Sequence, residues 1–456
     1  MKLRLFAIAF LAFFVVPAQA DDVNADSCSQ ADVQTAIDAA VDGDRVLVPS
    51  GTCTWGEPVV VPDSKKLTLQ GAGIGNTNID GATQFVDAGT SGSRITGFSF
   101  DVTSGSATMV DIKGQGWRVD HNFFENSTGS KLLAIQPSGL NETIQPQGLI
   151  DNNTFDGLRI LAFGMGNFNT QSDVWDDPLA LGTDNAVFVE DNVFNVEFAG
   201  NIIDENRGGR YVFRYNIVNV NIASHPGAIV EVHSKQSVTE RGSRSWEIYE
   251  NTFNATNSTF AIMFIRGGTG VAFNNTFITG IVGTGINLDN VRSIPVRDCD
   301  GTDPMDSNEG TGDEVGWMCR DQIGASTDEF LWTGGTPNPP QDKDPAYFWS
   351  NTKNGSKTSP EVTNSTDDHI QADRDFYDED ASFDGTSGVG VGLLSARPST
   401  CTPKVGYWAT DSRELYRCLT TDTWTLYFTE FTYPHPLGGE AGSSKGQVQR
   451  GTVTVR

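Results

Sequence analysis

Six stretches of this chain share one pattern: WRVDHNFF (117–124), GLIDNNTF (148–155), VFVEDNVF (187–194), YVFRYNIV (211–218), WEIYENTF (246–253) and GVAFNNTF (270–277). Each is a β-prone run, then an asparagine, any residue, and an apolar residue. The asparagines are Asn122, Asn153, Asn192, Asn216, Asn251 and Asn275, spaced about 24 to 39 residues apart. A second kind of run falls between them: KLLAIQ (131–136), LRILAFG (158–164), GAIVEVH (227–233) and FAIMFIR (260–266). A fixed core at elastic spacing predicts units that stack through their cores and absorb length differences in loops. One or two strands per unit are too few for a propeller blade, which needs about four. The pattern therefore predicts a solenoid of parallel strands. Equivalent asparagines would form a ladder of side-chain amides at a turn, where their tolerance of left-handed backbone suits them. Phe124, Phe155, Phe194, Val218, Phe253 and Phe277 would stack one step inside.

Almost no helical periodicity follows residue 42, so an all-β chain is expected. Before it, SQADVQTAIDAAVD (29–42) carries Val33, Ile37, Ala40 and Val41 at helix-like spacing. This predicts a short amphipathic helix capping the open end of the solenoid. The order of that helix, GDRVLVPSGTCTW (43–55), LTLQGAG (67–73) and the repeated x-Asn-x-Phe strands resembles the pectate-lyase-like superfamily over roughly residues 28–290. The resemblance implies a right-handed parallel β-helix. It leaves the reaction open, because that superfamily holds lyases, hydrolases, esterases, epimerases and non-catalytic adhesins.

The remaining organisation follows from composition. Residues 1–20 combine a basic start, an apolar run and Ala18-Gln19-Ala20, which predicts a secretory signal cleaved near Ala20. The β-helix is expected over 21–290 and a loop-rich extension packed on it over 291–385. A small disulfide-bonded module of two or three antiparallel strands is expected over 386–438, and a flexible tail over 439–456. An exported chain, secreted or periplasmic, favours three local disulfides: Cys28 with Cys53, Cys299 with Cys319, and Cys401 with Cys418. With 31 basic and 58 acidic residues the net charge is −27, which argues against nucleic acid and anionic membranes as partners. No later segment is apolar enough to span a membrane. A polysaccharide or surface glycan is the expected partner.

Strand alternation turns Val119, Ile150, Val189, Phe213, Ile248 and Ala272 inward, and so turns Arg118, Asp120, Asp151, Glu190, Arg214, Glu247 and Tyr249 outward. Chemistry-bearing residues concentrate between 204 and 250. His233, Lys235, Arg241, Arg244, Glu247 and Glu231 are the catalytic candidates. Arg214, Arg210, His225, Tyr249 and Arg266 are the substrate-binding candidates. Asp204 and Glu205 are candidate metal ligands, for Ca2+ if any ion is used. His233, Arg244 and Glu247 are expected on one outer face. The leading reading is β-elimination on a uronate-containing glycan, which needs a base, a cation for the carboxylate and a proton for the leaving oxygen. A second reading is glycoside hydrolysis with Glu231 and Glu247 as paired carboxylates. A third is a non-catalytic glycan-binding or adhesion protein.

Overall fold

The computed structural model describes residues 20–81, 84–89, 91–103, 108–127, 133–138, 144–160, 164, 168–196, 201–220, 224–234, 240–255, 258–279, 284–289, 320–327, 341, 343–362 and 370–439. Among them, strands dominate and fall into three long sheets that are parallel almost throughout, plus a four-stranded one. Consecutive strands visit the three sheets in turn. Arg45–Val48 lies in the first sheet, Gly51–Trp55 in the second and Val59–Val61 in the third, and Thr68–Gly71 returns to the first beside Arg45–Val48. Each circuit thus lies one strand spacing, about 4.8 Å, from the last. This arrangement is compatible with a parallel β-helix. Inward side chains of all three sheets share one apolar core.

The predicted ladder of asparagines is present and buried. Each of Asn122, Asn153, Asn192, Asn216, Asn251 and Asn275 donates its side-chain amide to the carboxamide oxygen of the next, at 2.9–3.2 Å, and Asn351 continues the series. The left-handed residue is not the asparagine but the one before it. His121, Asn152, Asp191, Tyr215, Glu250, Asn274 and Ser350 all have φ between 50° and 58°. That residue turns the chain sharply from first sheet to second, and the asparagine satisfies the backbone groups the corner exposes. Asn192, for example, also donates to the carbonyls of Ile150 and Glu190. One step inside, Phe100, Phe124, Phe155 and Phe194 stack with centroids 4.8–5.5 Å apart. Trp117 lies over Gly148 on the next circuit, where an added Cβ would come within 2.2 Å of the indole.

Helix α1 (Gln30–Ala39) starts at Ser29, whose hydroxyl accepts from the Asp32 amide, and buries Val33, Ala36 and Ile37 against the first circuit. The Cys28–Cys53 disulfide fastens this end, and Cys401–Cys418 is also formed. Cys299 and Cys319 lie outside the described residues, as do residues 1–19 and 440–456. A second helix, α2 (Phe168–Asp176), departs from the expectation of almost no helix after residue 42. Its apolar positions are too few to register as a period, yet Val174 and Trp175 are buried. The sheets also run on past residue 290: Ala346–Trp349 and Phe376–Asp378 extend the first sheet, and Glu361–Val362 the third.

The fourth sheet orders Val389–Gly392, Gly406–Ala409, Glu414–Thr420 and Thr423–Thr429. Its first pair is parallel, where antiparallel strands alone were expected. Trp408, Leu415 and Phe428 pack on the outer face of the first sheet, against Phe188, Val212, Tyr249, Val271, Phe273, Tyr347 and Trp349. Ring centroids lie 4.3 Å apart for Phe273–Trp349 and 4.8 Å for Trp349–Trp408. The aromatic residues of this region are therefore largely packing material. The four-stranded sheet roofs the first sheet.

Candidate active site

That roof decides the fate of Arg214, Glu247 and Tyr249. Alternation does turn Arg214, Glu247 and Tyr249 outward from the first sheet, but the outer face there is not open. Arg214 is fully buried, paired with Glu190, bonded to the Tyr249 hydroxyl, and donates to the carbonyls of Phe431 and Thr432 at 2.8 and 2.9 Å. Glu190 in turn accepts from the His435 amide. This network lashes the C-terminal segment down. Glu247 accepts from the Gly182 amide at 2.7 Å, and its other oxygen is buried without a hydrogen bond. Burial lifts its pKa to about 7. Arg244 donates to the Asp177 carbonyl and lies over Trp175 at 5.1 Å; burial and the neighbouring Arg210 lower its pKa to about 9. Arg210 donates to the Leu179 carbonyl.

Arg241 is also spoken for. It is fully buried, grips Asp321 through Nε and Nη2 at 2.7 Å each, and receives the Gln171 side-chain oxygen on its backbone amide. It joins the loop after residue 240 to the 320s. Glu205 points into the interior, where burial raises its pKa well above normal; it does not accompany Asp204. Lys235 and the side chain of His225 lie outside the described residues.

The third sheet brings a different set together. In register across neighbouring circuits stand Asp204, Glu231, Phe264 and Asn287. The backbone ladder continues one residue past the strand ends, through His233 to Glu205, Arg266 to Val232 and Asp289 to Ile265. His233, Arg266 and Asp289 thus form a second row, two residues further on and on the same outer face. His233 Nε2 contacts Asp204 and lies 3.2 Å from Glu231. Arg266 is ion-paired with Glu231 and lies 4.9 Å over the Phe264 ring, while Asn201 donates to Glu231. The side chains of Asp204, Glu231 and His233 are 17, 14 and 10 % exposed, so the cluster is enclosed but reachable.

His233 and Glu247 therefore lie on different sheets, and the expected convergence of His233, Arg244 and Glu247 on one outer face does not occur. The physical reason is that His233 closes a strand of the third sheet, Ser224–Val232, whereas Glu247 lies in a strand of the first, Ser245–Tyr249. Of the predicted residues, the fold assembles His233, Glu231, Arg266 and Asp204. Sequence reading overlooked Phe264, Asn287 and Asn201. The first is legible in hindsight, since alternation in FAIMFIR places it on the face of Arg266. Asp204, Glu231 and His233 each present an atom within 4.8 Å of the others, a spacing that can hold a cation. Their mixed nitrogen and carboxylate donors suit a transition metal better than Ca2+, which prefers oxygen.

No protein-family model matches this chain, and no curated protein matches it. Solved structures similar to it include an alginate lyase from Paenibacillus sp. str. FPU-7, at 14% identity and a TM-score of 0.30, covering 56% of this chain and 95% of that one. Another is the Agl-KA catalytic domain, at 15% identity and a TM-score of 0.28, covering 78% of this chain and 69% of that one. At those scores the likeness identifies neither a family nor a reaction.

Proposed function

We propose that this chain is an exported right-handed parallel β-helix of the pectate-lyase-like kind that cleaves a uronate-containing glycan by β-elimination on the outer face of its third sheet. The observation carrying this reading is the meeting of a histidine, two carboxylates, an arginine and an aromatic ring on a reachable face, while the first sheet is roofed. The two disulfides among the described residues suit an oxidising compartment. No helix among the described residues is long and apolar enough to cross a membrane.

The roles follow from the contacts. A neutral imidazole bonded to Asp204 through Nε2 carries its hydrogen there and its lone pair on Nδ1. His233 is then the base that takes the proton from C5 of the uronate. Arg266, exchanging Glu231 for the substrate carboxylate, stabilises the charge that develops on it. The electron pair of the C5–H bond forms the C4–C5 double bond, the C4–O bond breaks, and the proton on His233 passes to the leaving oxygen. Phe264 offers a ring on which a sugar face can rest.

A second reading is favoured by one observation. Asp204 and Glu231 stand on adjacent circuits, as paired carboxylates of a glycoside hydrolase would. Against it, the imidazole of His233 lies against both. A panel of polysaccharides separates the readings: elimination creates ultraviolet-absorbing unsaturated ends, hydrolysis creates reducing ends without them, and a non-catalytic binder creates neither. The elimination reading expects His233→Ala and Arg266→Ala each to lower kcat/KM by about a thousandfold. Reducing ends without unsaturation would overturn it.

A further inference from the structure

His233 Nε2 faces two carboxylates at once: it contacts Asp204 and lies 3.2 Å from Glu231 Oε1. A single N–H bonds only one of them well, whereas a divalent ion at the same point bonds all three atoms. These ligand atoms lie within 4.8 Å of one another. A tetrahedral ion with bonds of about 2.0–2.1 Å sets its ligand atoms about 3.3 Å apart. The His233–Glu231 pair already stands close to that separation, and the His233–Asp204 contact has only to open by side-chain rotation. The backbone holds the set in place. Asp204 and Glu231 are register partners on adjacent circuits, and the His233 amide donates to the Glu205 carbonyl at 3.0 Å. Asn201 donates to Glu231 and so orients its carboxylate. Both carboxylates set against Arg266 leave the cluster a net negative charge for a cation to offset.

We propose that Asp204, Glu231 and His233 form a site for a divalent transition metal, with Zn2+ the best fit. Three protein ligands leave a further position open to water. A nitrogen donor beside carboxylates favours that class of ion, whereas Ca2+ takes about six to eight oxygens. An imidazole that binds metal through Nε2 carries its hydrogen on Nδ1. The lone pair that takes the C5 proton is then gone. Bound metal therefore silences the elimination; this consequence, unlike the site itself, rests on the elimination reading.

The test starts from the purified full chain, stripped with EDTA and titrated by calorimetry with Zn2+, Mn2+ and Ca2+. The expected result is one Zn2+ per chain with a Kd of about 10 µM or below, tighter than Mn2+, and Ca2+ weaker than both. His233→Ala and Asp204→Asn should each weaken Zn2+ by about tenfold or more. His121→Asn, which removes a half-exposed histidine beside the first sheet, should leave it unchanged. Co2+ gives a readout on the unaltered protein: the visible absorption of tetrahedral Co2+ should appear on binding and vanish when Zn2+ displaces it. No Zn2+ binding, preference for Ca2+, or Zn2+ binding that survives His233→Ala overturns the site. On any uronate polymer that the parent cleaves, Zn2+ at about ten times its Kd should cut the rate about tenfold, and EDTA should restore it. Cleavage unmoved by bound Zn2+ would strike His233 as the base and leave the metal site standing.

Discussion

Single side chains in this molecule act through what they bridge. Asn192 holds its corner by donating to the carbonyls of Ile150 and Glu190 and to the next carboxamide, all inside the protein. Asn192→Ala would strand those acceptors, and equilibrium unfolding should show a loss of about 3 kcal/mol. Glu247 tests burial of a charge. Its pKa of about 7 lies above the ordinary carboxylate value, so the folded state holds a proton that the unfolded chain releases. The stability this confers is full below pH ~4.5 and is lost as pH rises through 7. Glu247→Gln removes the titration. The variant should match the parent near pH 5 and exceed it by up to about 3 kcal/mol at pH 9. A parallel pH profile for both proteins would show that Glu247 keeps its charge. His435 has the opposite sign: burial lowers its pKa to about 4, so its neighbourhood should loosen as pH falls from about 6.5 to 4.

Strands and sheets were legible to different depths. The x-Asn-x-Phe pattern repeats because each circuit must rebuild the same corner, and so the ladder, the aromatic stack and the inward rows could be read directly. The roof could not. Trp408, Leu415 and Phe428 follow most of the strands they cover by more than a hundred residues, and nothing local in either segment points to the other. For that reason Arg214, Glu247 and Tyr249 read as groove residues although they are covered. Alternation tells which side of a sheet a side chain leaves by, not what lies there. The third-sheet cluster was half legible, because His233 and Arg266 end their strands but register across circuits had to be seen. The roof itself carries two predictions. A chain ending at residue 385 should expose the outer apolar row of the first sheet, and so bind an apolar fluorescent dye and aggregate where the full chain does not. Replacing Cys401 and Cys418 together by serine should lower stability by about 3 kcal/mol, measured by denaturant unfolding of oxidised protein.

For the molecule as a whole, net charge and proposed substrate pull against each other. A chain of charge −27 repels a polyuronate at a distance, and in the proposed site Arg266 is the cation that draws it in. Raising ionic strength from about 10 to 150 mM shortens the screening length from ~30 to ~8 Å, so kcat/KM on a polyuronate should rise with salt over that range. A neutral glycan should show no such trend. The most direct measurement is the ultraviolet absorbance of unsaturated ends when the purified protein meets a panel of uronate polysaccharides, run beside His233→Ala and Glu247→Gln. Absorbance that grows with the parent and with Glu247→Gln, and is lost with His233→Ala, is the predicted result. Cleavage that survives His233→Ala but is lost with Glu247→Gln would put the chemistry under the roof and contradict the assignment to the third sheet.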